Sequence, residues 1–419
     1  MKLDNFIRTL NLSAPEKAII TNSDLFEKCY SFSRADEVRA AGLYPYFQPI
    51  SSGAGDEVII NGRKLIMIGS NNYLGLTNHP KVMEAASEAA RKYGSGCTGS
   101  RYLNGTLDLH VELEEKLAKY FKREEALVFS TGFQTNLGTI SCLVGKNDAL
   151  IIDRGDHASI VDGCRLAYGR TIKFAHNDMD DLDRVLGNLK NNGFRGGFLI
   201  VADGVFSMEG DIINLPDMVK VAEKYEARIM IDDAHSIGVL GEGGRGTAEH
   251  FNLIDKVDIT MGTFSKSFAS IGGFIVADHK VIDFIKHFSR ALIFSASLPP
   301  SATAAVLTAL DIIESEPERR ENLWKNAHKM HREFRRLGFD IGHTATPIVP
   351  VMIGEDNDTF QFWKELFDNG IFTNASISPA VAPGHALLRT SYTATHTDKH
   401  LDRVLEVFEK IGKKLGVIP

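Results

Sequence analysis

Seven short apolar runs between about residues 125 and 280 constrain this chain more than any other feature. They are "EALVFS", "DALIID", "RTIKFAH", "GGFLIVADG", "ARIMIDDAH", "DITMGTF" and "GGFIVAD". Stretches of helical periodicity, such as "LPDMVKVAEKY", separate several of them. Continuous β-branched runs alternating with helices predict an α/β fold with a mainly parallel sheet covered on both faces. In such sheets ligands bind in the crevice beyond the carboxyl ends of the strands. The polar segments "STGF", "DRGDH", "DGVFS", "DDAH" and "GTFSK" all fall at those ends and predict one site.

The flanking regions read differently. Residues 1–55 form an N-terminal arm, with a helix expected from Ser23 through "SDLFEKCYSFSRADEVRAAG". Asn61-Gly62 between two extended runs is a hairpin signal. "NHPKVMEAASEAARKYG" reads as a helix ending at Gly94. "LDLHVELEEKLAKYFK" reads as a second, with a stripe of Leu109, Leu113, Leu117 and Tyr120. After "LPPSATAAV" the pattern changes: helices over 303–315 and 317–337, an extended "TPIVPVMIG", a helix at 358–369, "ALLRTSYTATHT" and a final amphipathic helix. The expected division is an arm (1–55), a large α/β domain (56–295) and a smaller α+β C-terminal domain (296–419).

The 419 residues carry a net charge of −7, which gives no footing for nucleic-acid binding. Cys29, Cys97, Cys142 and Cys164 lack metal-ligand or redox spacing, so reduced thiols in a cytoplasmic protein are expected and no metal site. No apolar run is long enough to span a bilayer, and the first residues do not read as a secretory signal. The carboxylate pairs Glu114-Glu115 and Asp180-Asp181 fall on charged stretches and are read as surface.

The chemistry-bearing residues gather at the predicted strand ends. Lys266 in "GTFSK" stands among small and hydroxylated residues. A phosphate-binding P-loop needs its glycines upstream of the lysine, and only Gly262 stands there. An amine that forms an imine with a carbonyl group suits the setting better, because partial burial favours the neutral nucleophile. Asp232 and His235 in "IDDAH" suit a pyridine ring: a carboxylate keeps the ring nitrogen protonated, and His235 donates to the ring oxygen. The alternative is a carboxylate capping a loop beside a satisfied histidine. His157 in "DRGDH" could stack on such a ring or simply cap a helix. Gly132 and Phe133 open a helix after a strand, a setting that suits phosphate, although any α/β turn reads similarly. Thr263 and Ser265 could add hydroxyls to that phosphate or merely pack tightly. The planar fork of Arg389 suits a substrate carboxylate, with a surface ion pair as the alternative.

These segments, together with "SNNYLGL", "SGCTGSRYLNGTLDLHVELEEKLA", "STGFQTNLGTI" and "DGVFSMEGD", resemble the α-oxoamine synthases from about residue 40 to the C-terminus. These are fold-type I pyridoxal 5'-phosphate enzymes that condense an amino acid with an acyl-CoA and release CO2. "GSRYLNGTLDLHVELEEKLA" and "YPYF" resemble the bacterial, soluble, homodimeric branch that joins L-serine to palmitoyl-CoA in sphingolipid synthesis. The resemblance implies that Lys266 anchors the cofactor and is the base at Cα, with Asp232 at the ring nitrogen and His235 at the ring oxygen. It implies that His157 stacks on the ring. Gly132, Phe133, Thr263 and Ser265 would meet the phosphate, and Ser207 would lie near the ring oxygen. Asn71 or Asn72 would face the acyl-CoA, and Arg389 would hold the substrate carboxylate. Ser295 or Ser297 would reach the phosphate in the partner subunit, completing a homodimeric site.

One departure is visible. Some serine-using members carry a second arginine shortly before "LLR", where Ile377 stands here, and "SPAVAP" resembles the Pro-rich version of other members. The alternatives are a sister enzyme using glycine or alanine, of the 2-amino-3-ketobutyrate CoA ligase or 8-amino-7-oxononanoate synthase type, and a non-catalytic subunit that keeps the fold. A lipid-like product is the ground for expecting peripheral attachment at the inner membrane face.

Overall fold

The computed structural model describes residues 24–419. Residues 1–23 of the expected arm, including the helix start at Ser23, lie outside the described residues. The rest of the arm folds as two short helices, Glu27–Tyr30 and Arg34–Ala40, in place of the single one expected. Ser33 stands at the break, and its hydroxyl donates to Glu37 (2.6 Å), the local side-chain bonding by which serine competes with a continuous helix.

Strands β1 (Glu57–Ile60) and β2 (Arg63–Met67) form an antiparallel hairpin. Asn61 and Gly62 both have positive φ, 52° and 72°, as the two-residue turn demands. The helices Pro80–Tyr93 and Asp108–Phe121 come next, the first ending at Gly94.

The seven apolar runs form one sheet. They are β3 (Glu125–Phe129), β4 (Ala149–Asp153), β5 (Arg170–Phe174), β6 (Phe198–Asp203), β7 (Arg228–Asp232), β8 (Ile259–Thr263) and β9 (Gly273–Ala277). Their order is β3-β9-β8-β7-β6-β4-β5. β9 pairs antiparallel with both neighbours, and the other pairs are parallel. Side chains alternate between faces. Along β6, Phe198, Ile200 and Ala202 join a core with Leu182, Leu186 and Met218, whereas Leu199 and Val201 join one with Ile140 and Ile160. Both faces are thus covered, which explains the uninterrupted apolar runs. Truncating Ile200, fully buried, to Ala should cost about 2–5 kcal/mol.

Two long helices, Pro300–Ser315 and Glu318–Leu337, lead into β10 (Ile348–Gly354) and the helix Asp356–Asp368. Beyond them lie β11 (Ile371–Phe372), β12 (Asn374–Ser376) and β13 (Ala386–Ser391). β10, β13 and β12 form an antiparallel sheet in that order. β11 instead pairs parallel with β2, some three hundred residues earlier in the chain. Val58, Ile60 and Leu65 of the hairpin accordingly share a core with Phe334, Trp363, Val404 and Phe408. The last helix, Asp398–Leu415, is started by Thr397, whose hydroxyl accepts from His400 N, and is stopped by left-handed Gly416. Among the described residues, no helix is long and apolar enough to cross a membrane.

Candidate active site

A cavity of about 350 Å³ opens at the carboxyl ends of β3, β4, β6, β7 and β8. Each strand delivers residues to its wall. β3 runs into Gly132 and Phe133, β4 into His157, and β6 into Asp203 and Ser207. β7 ends at Asp232 with His235 just beyond, and β8 supplies Thr263, Ser265 and Lys266. Nine of the residues singled out in the sequence therefore surround one space, because parallel strands end together.

Lys266 sits in a tight turn. Its carbonyl accepts from Ala269 N (2.9 Å), and Ala269 takes a left-handed φ of 55°. Burial pulls the Lys266 ammonium down to about 8, against the raising pull of Asp232 and Asp203. At neutral pH the ammonium still predominates, and the minor neutral fraction that burial releases is the form an imine-forming amine needs. Burial also pushes His235 well below its ordinary value, helped by the nearby charges of Lys266 and Arg389. The Tyr73 hydroxyl lies 2.7 Å from His235 Nδ1. A neutral ring accepting there carries its proton on Nε2 and keeps a donor for the cavity.

Asp232 is held from two sides. Its Oδ1 accepts from Ala234 N (3.0 Å) and its Oδ2 from Asn136 Nδ2 (2.7 Å). Asn136 also donates to Ser159 Oγ (2.8 Å), and Ser159 in turn contacts His157 Nδ1 (2.8 Å). His157 is both things the sequence allowed: it caps the helix Ala158–Leu166 through Nδ1 and it lines the cavity. Burial lowers its proton affinity.

The start of the helix Gly132–Leu143 forms the opposite wall. Thr131 caps it by accepting from Gln134 N, which leaves the N–H groups of Gly132 and Phe133 outside the capping bond. A Cβ on Gly132 would lie 2.7 Å from Thr263 Oγ1, and one on Gly273 would lie 2.8 Å from Gly132 Cα. Glycine at both positions lets β9 and the helix start close around the threonine. Ser265 and Thr263 share a hydroxyl contact (2.9 Å), and Thr263 donates to Gly272 O (3.0 Å). Pyridoxal phosphate fits this donor set. The glycine cradle, two hydroxyls and a helix start suit its phosphate, a doubly hydrogen-bonded carboxylate suits its ring nitrogen, and a buried amine suits its aldehyde. Among the described residues, no group of three His, Cys, Asp or Glu could hold a metal ion.

The remaining sequence candidates lie off this wall. Buried Arg389 on β13 donates through Nε to Ser207 O (2.5 Å), and its Nη2 is buried without a partner among the described residues. The guanidinium therefore borders the site without forming a surface ion pair. Asn72 spends its amide on its own turn, donating to Thr77 Oγ1 and accepting from Leu76 N (3.0 Å). Asn71 Oδ1 lies 3.4 Å from the Tyr73 hydroxyl and reaches His235 through it. Ser297 donates to Gly99 O (3.0 Å), and the side chain of half-buried Ser295 makes no hydrogen bond among the described residues. Ser378–Pro383 of "SPAVAP" walls a separate cavity of about 860 Å³ with Arg154, His176 and Glu209.

Two of the carboxylates expected at the surface are nearly buried: the Asp181 side chain is 14% exposed and accepts from Ala175 N (2.7 Å), and Glu114 is the other. The Glu114 side chain is only 11% exposed and receives both Nη atoms of Arg101 at 2.8 Å. It also accepts from Val128 N on β3 (2.9 Å), so it ties the Arg101 loop to the sheet. Sequence reading passed over Asn136, Asp203 and Tyr73. Asp203 carried the same strand-end signal as Asp232. Asn136 and Tyr73 gave none, since their partners are distant in sequence.

The family described as aminotransferase class I and II matches residues 63–408. A serine palmitoyltransferase of Sphingobacterium spiritivorum is 51% identical over 95% of this chain and 99% of its own. An 8-amino-7-oxononanoate synthase of Thermoanaerobacter pseudethanolicus is 44% identical over 92% of this chain and 97% of its own. A solved SPT with PLP internal aldimine superposes with a TM-score of 0.90 at 38% identity, over 94% of this chain and 100% of that one. The chain belongs to the aminotransferase class I and II family, in the α-oxoamine synthase branch with these relatives.

Proposed function

We propose that the chain condenses L-serine with a long-chain acyl-CoA, palmitoyl-CoA in the first instance, to give 3-ketosphinganine, CoA and CO2, with pyridoxal phosphate as cofactor. The observation that carries this reading is the convergence of Lys266, Asp232, His235 and His157 on one cavity at the strand ends. The serine palmitoyltransferase relatives, 47–51% identical over nearly the full chain, support serine as the amino acid. Bound pyridoxal phosphate supplies an electron sink for charge developing at the substrate Cα.

The chain's own residues do the rest. The Lys266 amine would hold the cofactor's aldehyde carbon until the serine amine takes its place, and the freed amine would then take the Cα proton and later return one. Asp232 faces the ring nitrogen as a carboxylate steadied by Ala234 N and Asn136. His235 would donate from Nε2 to the ring oxygen, with Ser207 beside the same cavity, and His157 would pack on the ring. Gly132 and Phe133 N–H, with Thr263 and Ser265, would hold the phosphate. The unpartnered Nη2 of Arg389 turns to the serine carboxylate while Nε stays on Ser207 O. Asn71 and Asn72 border the acyl-CoA side.

The working form is a homodimer in which Ser295 or Ser297 of one copy completes the phosphate site of the other. Phe294, 79% exposed between them and the preceding helix, supports a covered surface. A cytoplasmic enzyme with peripheral membrane contact fits the exposed Leu25, Phe26 and Tyr30 of the arm.

The test is product mass from purified protein given serine, glycine or alanine with a series of acyl-CoAs. A long-chain product from serine is expected. Turnover only with glycine or alanine would favour the sister reading, which the 44% identical 8-amino-7-oxononanoate synthase supports. Arg389→Ala should weaken serine binding, and unchanged serine affinity would remove it from the carboxylate role.

A further inference from the structure

Asp203 and Asp232 end neighbouring parallel strands in direct register. Paired residues of such strands point to the same face at the strand spacing of about 4.8 Å. Both side chains are buried and both line the cavity. Neither makes a salt bridge among the described residues, although Lys266 shares their cavity. The single Lys266 ammonium can balance one negative charge of two buried carboxyls this close; the other carboxyl keeps its proton.

Hydrogen bonding decides which one. Asp232 accepts two donors, one on each oxygen, and these favour its anion. Asp203 accepts one, from His157 N to Oδ2 (3.0 Å), and its Oδ1 has no protein partner among the described residues. Its backbone N–H is spent on Asp156 Oδ1 (2.9 Å), a third buried carboxyl immediately behind it.

We propose that Asp203 is a neutral carboxylic acid whose proton sits on Oδ1, a hydrogen-bond donor in the cavity wall for an oxygen of the bound cofactor or substrate. The pair then carries a single negative charge, placed on Asp232. The groups facing Asp203 are Asp156 and His157 after β4, Asp232 and His235 after β7, and Lys266 after β8, with Arg389 of β13 beyond Ser207. Burial, then Asp232 and Asp156, push the Asp203 carboxyl well above the usual range, and Lys266 opposes them only in part. The donor role rests on pyridoxal phosphate being the occupant; the protonation state does not.

The experiment is infrared difference spectroscopy of the full-length protein labelled with ¹³C-carboxyl aspartate, as purified and after removal of pyridoxal phosphate. Asp156 and Asp233 are also buried carboxyls with raised proton affinity, so the protonated-carboxyl C=O envelope at neutral pH should lose one component in Asp203→Asn and keep that same component in Asp156→Asn. Pyridoxal phosphate affinity is titrated in parallel. Asp203→Ala should bind about tenfold more weakly, the worth of one neutral hydrogen bond. Asp203→Asn, which keeps the shape, the neutrality and a donor, should recover most of that loss. A wild-type spectrum without protonated-carboxyl absorption, an envelope untouched by Asp203→Asn, or an Asn variant as weak as the Ala variant would overturn the assignment. A protein that shows the Asp203 component but takes no pyridoxal phosphate would instead overturn the cofactor reading.

Discussion

Replacing Lys266 with Met should make the cofactor-free protein more stable, although it removes the residue on which the proposed chemistry depends. The folded protein lowers this ammonium from 10.5 to about 8, chiefly through burial. At about 1.36 kcal/mol per decade of proton affinity, that gap is worth about 3 kcal/mol. The sign comes from proton counts. Between about pH 8 and pH 10.5 the unfolded chain holds a proton on Lys266 that the folded protein does not, so stability rises with pH through that window. Below pH 8 both states are protonated, and the whole cost of a buried cation is present. Methionine has a similar length and no charge to bury. The Met variant should therefore exceed wild type by about 3 kcal/mol at pH 7, and the advantage should shrink as pH rises through 8 to 10. Urea unfolding of both proteins, stripped of cofactor, at constant ionic strength and a series of pH values measures it. A difference that stays flat with pH, or a Met variant less stable than wild type at pH 7, would refute the reasoning.

Three further outcomes are expected. Gly132→Val puts branched carbons where a Cβ already meets Thr263 Oγ1 at 2.7 Å, so pyridoxal phosphate affinity should fall at least about tenfold in an absorbance titration. Arg101→Met strips the fork from Glu114 and leaves a nearly buried carboxylate unpaired, which should cost about 3–5 kcal/mol in urea unfolding. Tyr73→Phe leaves His235 Nδ1 without its donor, so the ring should lose its tautomer preference and cofactor affinity should fall about tenfold, while ¹⁵N NMR of labelled histidine reports the changed tautomer.

The cluster at the strand ends was legible because periodicity alone reveals it. Each apolar run stops where the next residues turn polar, and a parallel sheet lines up those stops. That placed Lys266, Asp232, His235 and His157 together before any distance was known. Periodicity is silent on what a side chain meets across the fold. Asn136 lies mid-helix among small residues, and only the folded chain brings it to Asp232, 96 positions on. Glu114 looked solvated because its neighbours are charged, and its partner Arg101 sits in an irregular stretch with no period to read. The helix expected from Ser23 lost to a serine that bonds locally. Asp203 was visible as a strand end, but its meaning depends on register with Asp232, which a single strand does not encode.

The pairing of β11 with β2 bears on how the protein is made. A two-stranded hairpin is marginal in water on its own. Here the third strand, Ile371–Phe372, and the helices that bury Val58, Ile60 and Leu65 come from the last quarter of the chain. During synthesis, the β1–β2 hairpin leaves the ribosome early and waits for nearly all of the rest before its apolar face is covered. The seven-stranded sheet, complete by Ala277, can assemble in the meantime. Nascent chains truncated before residue 371 should therefore present the hairpin to chaperones and proteases with the large sheet already protected. A segment made early would be among the last to be secured.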